Sequence, residues 1–366
     1  MRLLDLKLRN FRNYEELNLD FEPGVNLIVG NNAQGKTNLL EAICYAGSGK
    51  SFRAQKTAEM VRFGADFADI DAKVFAQGRE QNLRYVLFNG SRPRQIWRNG
   101  AKKKSAAELA GVLPTVLFCP EDLMVLKTGA AARRRLGDHA LCDLRPNYDA
   151  ALTEYNRILD QKSRILKDHF DYPHLLDILP EYNTRLCQVG ALLISYRARF
   201  YDSLGKAAAG YHGQFSGGQE EFCLSYKTVS TVKDPFAPVA KLTEDLIAHQ
   251  ESHYRAEVES GQCLTGPHKD DFTVTLSGID LKSYGSQGQT RTAAISLKLA
   301  QRELMAREWG EEPVLLLDDV LSELDQGRQD FILNQIVTGQ VFITCCEPGR
   351  FTKLGKTIEI EKGKVI

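Results

Sequence analysis

The residues with the clearest chemical meaning form one string, Gly30-Asn31-Asn32-Ala33-Gln34-Gly35-Lys36-Thr37. Glycine at each end lets the backbone wrap tightly enough for successive N–H groups to converge on phosphate oxygens. Lys36 supplies a mobile cation for β- and γ-phosphates, and the Thr37 hydroxyl is a ligand for Mg²⁺. This is the spacing of a nucleoside-triphosphate loop. Far downstream, the apolar run Val314–Leu317 ends in Asp318-Asp319. A carboxylate at the end of a buried strand is the metal-holding partner such a loop needs. Asp318 is placed for Mg²⁺ and Asp319 for orienting or deprotonating water, which makes Asp319 and Lys36 the candidate catalytic groups. A third string, Ser286-Gln287-Gly288-Gln289, precedes a long amphipathic run. Its Ser/Gln spacing fits a capping box, and equally a helix N-terminus whose hydroxyl grips a γ-phosphate. The residue types leave both readings open.

Each of these groups needs an element to aim it. Val25–Val29 reads as a buried strand feeding the loop, and residues 36–46 as the helix whose positive dipole end faces the anion. Residues 2–9, 67–75, 83–88 and 94–98 have strand character, and Asn99-Gly100 signals a hairpin turn. Helical periodicity takes over at 150–170, 179–209 and 239–259, broken at Pro173, Pro180, 210–218 and Pro235 to Pro238. Strand pattern returns at 272–276, followed by a helix at 289–309, the Val314–Leu317 strand, a further helix and a strand at 341–344. The expected organisation is one α/β nucleotide-binding lobe made from residues 1–119 and 266–366, with a helical insertion at 120–265; the segment around Ser286 to Gln289 is left open between the lobe and the insertion.

The 366 residues carry 47 basic and 47 acidic side chains, so no general basic coat exists. Local asymmetry does: Arg84, Arg92, Arg94, Arg98, Lys102, Lys103 and Lys104 fall in a stretch without acids, and Arg133-Arg134-Arg135 adds a second cluster. On the arms and tip of a hairpin, Arg92, Arg94, Lys102, Lys103 and Lys104 can reach a DNA backbone, with Arg133 and Arg134 as further candidates; the competing reading is a solvated face. Arg12 is a candidate to pack on the nucleotide, or else to form a surface ion pair. His268 reads as part of a structural loop. No apolar stretch is long enough for a membrane span, and the charged, alternating start is unlike a signal peptide. Eight cysteines without metal-ligand spacing, two of them adjacent at Cys345-Cys346, lead us to expect a reducing, cytoplasmic setting.

Together, the loop at 30, Ser286-Gln-Gly-Gln, Leu315-Leu-Leu-Asp318-Asp319 and Ser322-Glu-Leu-Asp325 resemble the ATP-binding-cassette heads of chromosome-maintenance and repair proteins. A closer resemblance, running end to end, is to the bacterial RecF family. It is carried by Asn10-Phe-Arg-Asn-Tyr14, by Pro120-Glu-Asp-Leu through Gly129 to Arg133-Arg134, and by Leu264-Thr-Gly-Pro-His-Lys-Asp-Asp271. The resemblance implies a cassette-type P-loop ATPase lobe with an antiparallel β subdomain and a helical insertion lobe. It also implies ATP and Mg²⁺ as cofactors, an ATP-dependent homodimer, and binding to single- and double-stranded DNA at gaps. RecO and RecR are the implied partners, in loading RecA, with slow, DNA-stimulated hydrolysis as a reset. By position, Gly30 to Thr37 would hold ATP, Asp318 the metal, and Asp319 the water. Ser286 to Gln289 would reach the other subunit's γ-phosphate, and Asp325 would line that interface.

The chain departs from cassette transporters at Gln287, where they have Gly, and at Asp319, where they have Glu. No histidine follows the strand at 341–344, which runs into Cys345-Cys346-Glu347, and no Gln occurs from Ile96 to Asp160, so Glu121 or Asp122 stands at the lobe junction. Alternative functions are a chromosome-organising head or a repair ATPase with other partners. A long coiled-coil arm is disfavoured by Pro173 and Pro180, and attached nuclease chemistry by the lack of His/Asp clusters.

Overall fold

The structure is a computed structural model and describes residues 1–336, 338–347 and 349–366. Alternation of apolar and polar residues near the start builds an antiparallel sheet. β1 (Arg2–Phe11) turns into β2 (Tyr14–Asp20), while β3 (Val25–Val29) leaves for a second sheet and enters α1 (Lys36–Ser48) through the glycine-rich loop. The first sheet resumes with β4 (Phe67–Ala76), β5 (Arg79–Phe88), β6 (Gln95–Arg98) and β7 (Ala101–Lys103). Among the described residues it has the strand order β2-β1-β4-β5-β6-β7. One face buries Leu6, Leu8, Ile70, Ala72, Leu83 and Tyr85. The other is a ladder of charges in which Arg84 grips Asp69 at 2.6 Å. The expected hairpin forms at Asn99-Gly100, both with positive φ. β8 (Thr115–Phe118) then joins the second sheet.

The middle of the chain is helical: α2 (Ala130–Leu144), α3 (Pro146–Asp168), α4 (Leu179–Ser216) and, after β9 (Phe222–Lys227), α5 (Val239–Ser260). β10 (Asp271–Leu276) and β11 (Ile279–Asp280) lead through the short α6 (Leu281–Tyr284) into α7 (Gln287–Trp309). Inside this region a fully buried ion pair links α3 to α5. Lys162 Nζ lies 2.6 Å from Glu257 Oε2, with both side chains at 0% exposure. Gln250 completes it, accepting from Lys162 at 2.7 Å and donating to Glu257 at 2.6 Å.

The last stretch supplies β12 (Val314–Leu317), α8 (Gln326–Gln335), β13 (Val341–Cys345), β14 (Gly355–Glu361) and β15 (Lys364–Val365). Among the described residues these complete the sheet β15-β14-β3-β13-β12-β8, parallel apart from β15. Continuous burial along β12 and β13 is the mark of strands covered on both faces. Gln340 joins the two sheets, its Oε1 accepting from the Leu3 amide at 2.8 Å and its Nε2 donating to the Leu3 carbonyl at 2.8 Å.

The chain divides into two compact units, 1–123 with 301–366, and 124–300. One expected boundary therefore moves from 265 to 300. The physical reason is β10, which pairs residue for residue with β9 from Asp271↔Lys227 to Leu276↔Phe222 and so binds this segment to the insertion.

Candidate nucleotide site

Parallel pairing puts β3 between β13 and β14, so that Gly30 emerges at the carboxyl edge of the sheet. Ligands in open α/β sheets bind at that edge. β12 ends two strands away, and Asp318 follows it directly. The Thr37 hydroxyl donates to Asp318 Oδ1 at 3.0 Å across 281 residues of chain, and Thr344 donates to the same oxygen at 3.0 Å. The structure thus brings together the two strings, Gly30 to Thr37 and Asp318-Asp319, that chemistry requires to be adjacent. Asp318 is 6% exposed. Burial pushes its carboxyl above the usual range, and the two threonine hydroxyls pull the other way.

Lys36 is 4% exposed and folds back over the loop. Its Nζ donates to the Gly30 carbonyl at 2.7 Å and the Asn31 carbonyl at 3.3 Å, and sits 3.3 Å from Cys346 Sγ. A cation parked on carbonyls at the loop's mouth can exchange them for phosphate oxygens. Cys346 also donates to Asn32 Oδ1 at 3.0 Å, so a thiol stands at the mouth where cassette ATPases have histidine. Gly35 takes φ 124°, and a Cβ there would meet Asn13 Nδ2 at 2.8 Å, which leaves glycine as the residue that fits.

Thr37 and Asp318 offer hard oxygen donors, which suits Mg²⁺. Among the described residues no group of three or more His, Cys, Asp or Glu is arranged to hold a metal. Thr37 and Asp318 would therefore share the ion with phosphate oxygens and water, where it would neutralise charge on the transferred phosphoryl group. Asp319 is half-exposed and adopts the left-handed region at φ 51°. Its amide is fixed by a 2.8 Å bond to Thr344 Oγ1. Strain of this kind on a non-glycine residue is held only where surrounding bonds impose it.

Other candidates land elsewhere. Arg12 is engaged in an ion pair. Its Nε and NH2 grip the buried Glu41 at 2.8 and 2.7 Å, and NH1 takes the Glu59 carbonyl at 2.7 Å. Leaving Glu41 without that partner would strand a charge inside α1; the ion pair that forms is a half-buried one and not the surface pair expected. At Ser286 the capping box is realised: the Ser286 amide donates to Gln289 Oε1 at 3.0 Å, and the Gln289 amide to Ser286 Oγ at 3.2 Å. Gln289 Nε2 is tied to Glu220 at 2.8 Å, while Gln287 is exposed and Gly288 half-buried in the first turn of α7. Asp325 caps α8, accepting from the Arg328 amide at 3.0 Å. At the junction, Asp122 accepts from the Cys119 amide at 3.0 Å.

The basic clusters need the largest correction. Arg133 is 2% exposed and forms a two-pronged ion pair with Asp271 at 2.6 and 2.7 Å, so it is a strut inside the second unit and not a DNA contact. Arg134 is half-buried against the Asp270 carbonyl at 2.6 Å. Arg94 turns inward as well, capping the end of α1 through the Gly49 carbonyl and the Tyr45 hydroxyl. Lys103 sits 3.6 Å from Glu108. Lys102, on β7, and Lys104, just past its end, are exposed, and Arg92 lies over the Phe88 ring at 4.0 Å.

Sequence reasoning missed Asn13 and Tyr14, which hold the loop from behind; their place in Asn10 to Tyr14, beside a predicted strand, was the available signal. His268 is structural in its contacts, bonded to Tyr155 at 2.8 Å, and burial pushes its imidazole down to about 4.

With this geometry in hand, comparison places the chain. The model of the RecF/RecN/SMC N-terminal domain matches residues 2–365. The DNA replication and repair protein RecF of Agathobacter rectalis is 39% identical over 370 residues, covering 100% of this chain and 99% of the relative. That of Clostridium acetobutylicum is 35% identical over 369 residues, covering 100% and 99%. The solved recombination mediator protein RecF–ATP of the RecFOR pathway superposes with a TM-score of 0.90 at 34% identity, covering 100% and 96%. An Smc head from Pyrococcus furiosus, at 16% identity and a TM-score of 0.57, covering 100% and 95%, shares the fold alone. A P-loop head that matches RecF proteins along its whole length, in sequence and in backbone, is one of them: the chain belongs to the RecF family.

Proposed function

We propose that this protein is an ATP-gated, DNA-binding recombination mediator of the RecFOR pathway. ATP bound at Gly30 to Thr37 joins two copies, with Ser286 to Gln289 and Asp325 of one facing the nucleotide of the other. The dimer clamps single- and double-stranded DNA at gaps and, with RecO and RecR, promotes RecA loading in the cytoplasm. Slow hydrolysis through Asp318 and Asp319 resets it. The observation that carries this reading is the Thr37–Asp318 contact beside Lys36, which is the hardware of Mg²⁺-dependent phosphoryl transfer. The RecF name of full-length relatives and the ATP-bound neighbour support the choice of pathway and ligand.

Sedimentation of wild type and Lys36→Ala with ATP, with ADP and with gapped DNA tests the gate. Lys36→Ala removes a charged hydrogen bond to phosphate and is expected to weaken ATP binding about 10- to 100-fold, and the ATP-dependent dimer with it. A dimer that persists in the variant at the same ATP concentration would sink the mechanism.

The DNA contact is assigned to the exposed lysines of the hairpin's second arm, since Arg94, Arg133 and Arg134 are engaged inside the fold. Lys102→Glu with Lys104→Glu should weaken DNA binding regardless of sequence and lower the log–log salt slope by about 2, at roughly 0.9 per phosphate contact. An unchanged slope in a filter-binding or fluorescence titration would move the interface elsewhere.

A further inference from the structure

Gln34 has partners that phosphate binding does not explain. Its carbonyl oxygen accepts from Asn13 Nδ2 at 2.9 Å and from the Gly363 amide at 3.0 Å. Its side-chain Oε1 accepts from the Lys362 amide at 2.5 Å. Lys362 and Gly363 form the turn between β14 and β15, 328 residues away in the chain. The next carbonyl is held too, since the Tyr14 hydroxyl donates to the Gly35 oxygen at 2.9 Å. At the loop's other end, β14 approaches so closely that a Cβ on Gly30 would lie 2.3 Å from the Ile360 oxygen. The C-terminal hairpin therefore bonds the loop at Gln34 and packs against it at Gly30.

A trans peptide plane points its C=O and the following N–H in opposite directions. Drawing the carbonyls of Gln34 and Gly35 outward turns the amides of Gly35 and Lys36 inward, where an anion is to be met. We propose that Gln34 is a positioning residue of the phosphate loop, and that the Lys362-Gly363 turn is part of the nucleotide site through it. Gln34 does this facing away from the nucleotide, as a crossbar between the β1–β2 turn and the C-terminal hairpin. Nucleotide binding and closure of that hairpin then favour each other reciprocally. This inference rests on the ATP-binding reading above.

The test is titration of full-length wild type and Gln34→Met with a fluorescent ATP analogue, alongside hydrogen exchange with and without ATP. Methionine keeps the side chain's length and apolar stem but cannot accept from Lys362. The nucleotide dissociation constant should rise about three- to tenfold, the range for one net hydrogen bond. In wild type, ATP should slow exchange at the Lys362 and Gly363 amides, and in Gln34→Met that added protection should be lost at Lys362. A brace with no link to the nucleotide would protect these amides equally with and without ATP, and that result overturns the proposal. So does unchanged affinity in the variant. If Gln34→Met does not fold, Asn13→Ala, which takes a donor from the Gln34 carbonyl, should raise the dissociation constant in the same range, and unchanged affinity there overturns the proposal. A wild type that binds no ATP would instead remove the nucleotide reading itself.

Discussion

Lys162→Met is expected to cost the fold about 3–5 kcal/mol, the penalty for leaving a buried carboxylate without its cation. Glu257 would keep the Gln250 amide, the Leu264 backbone N–H at 2.7 Å and the Thr265 amide and hydroxyl at 3.2 and 3.1 Å, but no cation, inside a site with no solvent access. For a unit of this size the loss corresponds to a drop of roughly 6–20 °C in thermal midpoint. Adding Glu257→Gln should recover most of it, because what hurts is the orphaned charge and not the missing ammonium. The pair also fixes a direction for pH. Burial alone would raise the Glu257 carboxyl, but Lys162 and the hydrogen bonds outweigh it and hold the carboxyl below its ordinary 4.5. A depressed folded pKa means stability is fully present above 4.5 and is lost as pH falls through the folded value. Acid unfolding curves of wild type and Lys162→Met should therefore converge toward low pH. Curves that stay parallel would show that the pair is not the source.

Asp318→Asn should separate stability from chemistry at the nucleotide site. Asparagine can still accept from Thr37 and Thr344 through Oδ1, so the geometry survives. The charge that burial disfavours is gone. A carboxyl whose folded pKa is raised lends stability below its unfolded pKa and loses it as pH rises through the folded one. Near neutrality the neutral variant should thus be at least as stable as wild type without nucleotide. ATP hydrolysis should fall about 10³-fold or more, since a metal ligand that stabilises transition-state charge is lost. Hydrolysis within tenfold of wild type in a coupled phosphate-release assay would remove Asp318 from the metal site.

The sequence made some of this legible because the signals are local. The phosphate loop, its strand and helix, and the apolar strand ending in Asp318-Asp319 are patterns a few residues long, and all stand where expected. Strand β2 and helix α2 were not anticipated. Arg133 to Arg135 read as a charge cluster, whereas folding puts Arg133 on the inner side of α2. Its partner, Asp271, is 138 residues away, and no local pattern announces such a pairing. The same holds for the boundary at 300, set by β9 meeting β10, and for Arg94, whose target is the end of a helix 45 residues earlier. Side-chain engagement is a tertiary property, so counting exposed-looking cations overestimates a DNA footprint. At Ser286 the cap is formed, which leaves its hydroxyl proton, not its lone pair, as the group to offer an anion.

The place of β3 in its sheet has a consequence for biosynthesis. Its two neighbours, β13 and β14, are made some 300 residues later than β3 itself. At about 10 residues per second, the strand that carries the phosphate loop waits roughly half a minute for partners. The middle unit, 124–300, is continuous in sequence and has no such wait. A nascent chain arrested before residue 341 should then hold a folded helical unit and an unformed nucleotide site. ATP can reward only finished chains, and the apolar β3 and α1 are the segments most in need of protection until then.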